Sequence, residues 1–152
     1  MARIERKSGK IDLNKIKAGF QTFQRVIPVV VANNSKNHFL KGFRRGGGQT
    51  DASKSGWTQR KRSRSRANEG RAVLVQSGDL RADIRVRKTS FGRSVIGTSS
   101  ATSDYSNVHN EGLRSGRGAG FQMPKREFIG DSVELQKKNE QLILNELKKI
   151  KP

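Results

Sequence analysis

The chain has 152 residues, enough for one domain with helical or disordered extensions at its ends. Hydrophobic residues make up 32%, which predicts a small core, and the absence of cysteine excludes disulfides and thiolate metal sites. Lys and Arg number 32 against 13 Asp and Glu, a net +19 that repels itself and attracts polyanions: nucleic acid, an acidic protein surface or acidic neighbouring subunits.

Met1 to Lys10 carries four basic residues with no apolar stretch behind them, which does not read as a secretory signal. The longest apolar run, Val26 to Ala32, is interrupted by Pro28 and too short to span a bilayer, so a soluble protein without membrane contact is expected. From Asp12 onward, Leu13, Ile16, Phe20, Phe23 and Ile27 recur at helical spacing, with Asp12 placed to cap the first turn. Pro28 lacks an amide hydrogen and clashes with the preceding turn, which predicts an end or kink near Ile27. A second helix is expected through Val31, Ala32, Phe39 and Phe43, stopping at Gly46-Gly47-Gly48, with the phenylalanines packed in a core.

Residues 44–71 change character, with nine basic side chains against two acidic ones. Gly, Ser, Gln and Asn fill most of the rest, predicting a long mobile basic loop with Trp57 as its large apolar anchor. Order is expected again at Val73-Leu74-Val75. Ser77 then reads as the cap of a short helix that turns Leu80 and Ile84 inward. Alternation through Ile84, Val86 and Lys88 predicts a strand, Gly92 a hairpin turn, and Ser94 to Thr98 the returning strand. A short helix holding Tyr105, Val108 and His109 should end at Gly112. Residues 113–122 read as a second Gly/Arg loop, with Arg114 and Arg117. Residues 131–150 read as a C-terminal helix capped by Asp131 or Ser132, its apolar side marked by Leu135, Leu142, Ile143, Leu147 and Ile150. The predicted fold is α+β: an N-terminal helical pair, a small antiparallel sheet, long basic loops and a C-terminal helix.

Catalytic and metal-binding patterns are missing. His38 reads as a partly buried or surface helix residue, and His109 has only Glu111 near it, too little for a metal cluster or a nuclease centre. Gly46-Gly47-Gly48 lacks the following Lys-Ser/Thr of a phosphate-binding loop, and Gly116, Gly118 and Gly120 lack the strand–turn–helix frame of a dinucleotide site. No cofactor, metal or catalytic residue is expected. The strongest charge signal is Arg60-Lys61-Arg62-Ser63-Arg64-Ser65-Arg66, which could neutralise several phosphates in a salt-dependent way. With few aromatics interleaved, any such contact would be to backbone and indifferent to sequence.

The ordered pieces, taken in sequence, resemble the phage virion morphogenesis family, the tail-completion proteins of Mu-like and P2-like phages. The likeness runs from Asn37-His38-Phe39 through Phe43-Arg44-Arg45-Gly46-Gly47 and Trp57-Thr58-Gln59-Arg60-Lys61 to Val73-Leu74-Val75-Gln76-Ser77-Gly78-Asp79-Leu80-Arg81. It continues with Val95-Ile96-Gly97-Thr98, Tyr105 to Gly112, and Met123-Pro124-Lys125-Arg126-Glu127-Phe128-Ile129-Gly130. The resemblance covers residues 37–145 and implies one virion-morphogenesis domain over 1–152, with 1–11 as a flexible N-terminus. It implies a structural, non-enzymatic subunit of a virion, forming a homo-oligomeric ring with other neck or tail proteins at the head–tail joint.

Gly78 and Gly97 then read as positions of tight turn or close backbone approach, and Tyr105 and His109 as neighbours on one helical face. Met123, Phe128 and Ile129 read as anchors onto the sheet, beside Gly112 and Pro124. Arg44, Arg45, Arg60, Lys61, Arg62, Arg64, Arg66, Arg114 and Arg117 are the candidate contacts to DNA or acidic partners. The competing reading is a sequence-indifferent nucleic-acid binder, ribosome- or nucleoid-associated, which the composition supports equally well.

Overall fold

Asp12 sits in extended backbone, and its carboxylate accepts from the amides of Asn14 and Lys15 at 3.0 and 3.2 Å, the cap its position predicts. From there one helix, α1 (Leu13–Arg45), runs 33 residues to Gly46, whose left-handed backbone ends it. The computed structural model describes residues 11–59, 72–75 and 77–150. The expected helical pair is therefore a single helix that passes through Pro28. The local cost of a proline is outweighed by packing on both sides of it: α1 contacts both strands of the main hairpin and the C-terminal helix, and Pro28 is itself buried.

Beyond Gly46 the chain makes a tight, ordered turn. Asp51–Ser53 form one turn of 3-10 helix, and Trp57 is buried, donating its amide to Gly46 O at 2.6 Å and its indole N–H to Glu127 O at 3.0 Å. Arg44 and Arg45 thus belong to the last turn of α1, and residues 46–59 are folded against the core, where a mobile loop from residue 44 was expected. Short helix α2 (Asp79–Asp83) buries Leu80, with Ile84 buried directly after it. Gly78 takes the capping position with left-handed backbone. Ser77, the predicted cap, only accepts a long 3.4 Å bond from Asp79 N through its hydroxyl.

Strands β1 (Arg85–Ser90) and β2 (Arg93–Gly97) pair antiparallel about Phe91-Gly92, in register from Arg85 opposite Gly97 to Ser90 opposite Arg93, with a bulge between Val86 and Lys88. Helix α3 (Ser100–Glu111) ends at left-handed Gly112 as predicted. The 113–122 segment, expected as a loop, is a second small hairpin: β3 (Arg114–Ser115) pairs with β4 (Phe121–Gln122). Helix α4 (Val133–Leu147) starts at Ser132, whose hydroxyl accepts from Leu135 N at 3.3 Å.

The core gathers Phe43, Trp57, Val73, Leu74, Leu80, Ile84 and Phe128, with Leu40, Val75, Ile96 and Ile129 packed against it. Phe43 is its hub, meeting Trp57 edge-on at 5.3 Å and Phe128 at 5.5 Å. Phe128 thus packs against α1 in a cluster that Ile96 of β2 also joins. Phe20 lies outside this core, 44% exposed, and Phe23 is half-buried; the expectation that all the α1 phenylalanines fill the interior holds for Phe39 and Phe43. The fold is α+β, and no helix among the described residues is long and apolar enough to cross a membrane.

Candidate partner-binding surfaces

The motif residues form the interior frame. Tyr105 and His109 stack edge-to-face at 4.4 Å on one side of α3; His109 is buried and Tyr105 half exposed. Gly112 is required twice over: its φ is +68°, and a Cβ there would stand 2.9 Å from the backbone of Lys125. Gly97 has neither constraint, since a Cβ on it would meet nothing within 4 Å and its φ is ordinary, so the expected close approach is absent there. Pro124 is half-buried beside Arg126, whose amide donates to His109 O at 2.8 Å and whose Nε donates to Thr58 O at 3.0 Å.

Several residues that hold this frame escaped the sequence reading. Asn110 accepts from the amides of Phe128 and Ile129 at 3.0 and 3.1 Å and donates to Ile129 O at 3.0 Å, fastening the Phe128 segment to α3. His38, read as partly buried or at the surface, is buried. Its Nε2 lies 2.7 Å from Gln49 O and 3.2 Å from Ser132 Oγ, joining α1 to the turn and to the cap of α4. Asn34 donates to Asn139 Oδ1 at 2.7 Å, and Asn139 donates to Ser35 Oγ at 3.1 Å, a polar seam between α1 and α4. The Asp83 carboxylate accepts from Ser99 N, Ser99 Oγ, the Thr102 hydroxyl and Arg87. Thr102 first, then Ser99, hold it well below the ordinary carboxylate range. No sequence signal marks these residues, because each partner but Arg87 is eleven or more positions away.

The candidate contact cations divide. Arg44 and Arg45 are exposed at the C-terminal end of α1, where positive charge also suits the helix dipole. Arg114 and Arg117 are exposed on the β3–β4 hairpin. Arg60, Lys61, Arg62, Arg64 and Arg66 lie outside the described residues. Among the described residues no group of three or more His, Asp or Glu side chains is placed to hold a metal ion.

An apolar groove runs between α1, the tip of the β1–β2 hairpin and α4. Phe20, Phe23, Ile27, Phe91, Ile143 and Leu147 contribute to its walls, and Arg93 is the one charged residue lining it among the described residues. Phe20 and Phe23 stack at 6.0 Å, Phe91 meets Phe23 edge-on at 6.4 Å, and Phe91 is 56% exposed. Phe20 and Phe91 are thus large aromatic side chains that the described residues leave exposed.

The described residues thus form an α+β unit with exposed cations at several edges and an aromatic groove that they leave open. The chain belongs to the phage virion morphogenesis family: the family model matches residues 40–148, more than half of its length. Membership gives it a structural or assembly role in a phage and places it among virion-associated proteins. No curated protein and no solved structure matches the chain.

Proposed function

We propose that this protein is a non-enzymatic subunit of the joint between head and tail of a tailed phage, a neck, tail-completion or tail-terminator protein that acts as a homo-oligomeric ring. The observation that carries this reading is the groove that the described residues leave open. Two copies of a chain with net +19 repel each other almost everywhere, but a groove lined by a single cation is a face on which they can meet with little repulsion. Burying a phenylalanine side chain contributes about 1.5–3 kcal/mol, so a few such contacts repeated around a ring offset a considerable charge penalty. The basic side chains are then free to face DNA in a lumen or acidic neighbours. A sequence-indifferent nucleic-acid binder would account for the charge but gives the aromatic groove no role.

The test is the mass in solution of the full chain and of the double variant Phe20→Asp, Phe91→Asp, whose sites are exposed enough to leave the fold intact. The native chain should sediment as multiples of 16.9 kDa and the variant near 16.9 kDa. The variant should also fail to restore joined particles to a phage lacking the native protein. A native chain that stays monomeric at all concentrations, or a variant that joins heads to tails at the native yield, contradicts the reading.

A further inference from the structure

On the side of α1 facing α2 lies a second, more open cleft of about 710 Å³. Its chemistry differs from that of the aromatic groove. Leu40, Ile84 and Val86 form an apolar floor, and Lys36, Arg81 and Arg85 stand around it. Among the described residues no carboxylate lines the cleft, and the ion pairs all lie elsewhere. Arg85 makes one long 3.5 Å bond to Ala82 O, leaving most of its guanidinium donors turned to solvent. Neighbouring Arg87, by contrast, is held by Asp83 at 3.0 Å and by Gly97 O at 3.2 Å.

Three cations without acidic partners among the described residues, set around an apolar floor, specify their complement. A phosphate backbone would satisfy the charges but would bring nothing apolar to cover Leu40 and Val86. A protein segment carrying a large apolar side chain flanked by carboxylates satisfies both, pairing Asp or Glu with the rim while its apolar side chain leaves water on the floor. We propose that this cleft is the docking site for such a segment: an acidic, apolar-anchored stretch of another protein. The proposal goes beyond the ring reading, because it names a different face and a different partner.

Fluorescence anisotropy on the full chain tests it with three probes: a short Asp/Glu-rich peptide with a central Leu-Phe pair, the same peptide with that pair replaced by Ser, and duplex DNA. The Leu-Phe peptide should bind about tenfold more tightly than the Ser peptide, a difference of about 1.4 kcal/mol. The variant Lys36→Gln, Arg81→Gln, Arg85→Gln should cost the Leu-Phe peptide at least about tenfold and DNA less than about threefold. Val86→Thr keeps the shape and every charge, and should bring the Leu-Phe peptide down towards the Ser peptide. Equal binding of the two peptides overturns the proposal. So does a triple variant that loses DNA as strongly as peptide, since the cleft would then be one part of a general phosphate-binding face.

Discussion

Asp83 closes α2, yet its carboxylate does its work at the start of α3, sixteen residues on. Ser99, in the capping position of α3, makes no side-chain cap bond of its own; Asp83 instead gathers the Ser99 amide, the Ser99 and Thr102 hydroxyls and the Arg87 guanidinium. Those donors favour the ionised form and lower its pKa, so in acid the unfolded chain takes up this proton before the folded chain does. The stability contributed by Asp83 is therefore present above its unfolded pKa of about 3.9 and is lost as pH falls below that value towards the folded pKa. Asp83→Asn should be less stable than the native protein at neutral pH, and the difference should shrink between about pH 4 and pH 2. Denaturant titrations across that range check it, and parallel curves at every pH would refute it. At this scale the sequence was legible where a residue type alone sets its job: Trp57 as an anchor, Gly112 as a helix end, Tyr105 with His109 on one face. Asp83, Asn110 and His38 were not legible, because their roles exist only once distant segments meet.

Secondary structure followed local chemistry at most of the positions where local chemistry is strong. Asp12, Gly46, Gly92, Gly112 and Ser132 start, turn or stop elements where their side chains or backbone freedom predict. Two of the departures have different causes. The β3–β4 hairpin is four paired residues in a Gly/Arg stretch, too short to show a period. Pro28 carries a strong local rule that tertiary packing overrides: without its amide hydrogen, the Gln24 carbonyl loses its intrahelical donor, and the helix continues because both halves of α1 lie on α4 and the hairpin. Proline is about 3 kcal/mol less favourable than alanine inside a helix, and the buried ring recovers part of that through its contacts. Pro28→Ala should thus stabilise the protein by about 1–2 kcal/mol and raise its helicity slightly. A variant less stable than the native chain would mean that α1 needs the proline to bend at this point.

For the whole molecule, composition foretold a thin core and a cationic surface, and the order of motifs foretold the family; neither revealed where the apolar surface is exposed. Helical spacing placed Phe20 and Phe23 on one side of α1 but could not tell a face that meets the core from one left uncovered. The difference arises because the core gathers around Phe43, at the far end of a helix roughly 50 Å long. Among the described residues, the first half of α1 therefore carries an apolar stripe with only the tip of the β1–β2 hairpin and the end of α4 to cover it. Among the described residues, a thin core at one end, an open aromatic groove at the other and cations at several edges are what the proposed ring subunit requires. The central claim, a structural subunit at the head–tail joint, is tested most directly by locating the chain in the finished particle. Virions carrying a small electron-dense label on this protein should show it in electron micrographs as a compact ring of density at the junction of head and tail. Label spread along the tail shaft or over the head shell, or absent from purified particles, would contradict the account.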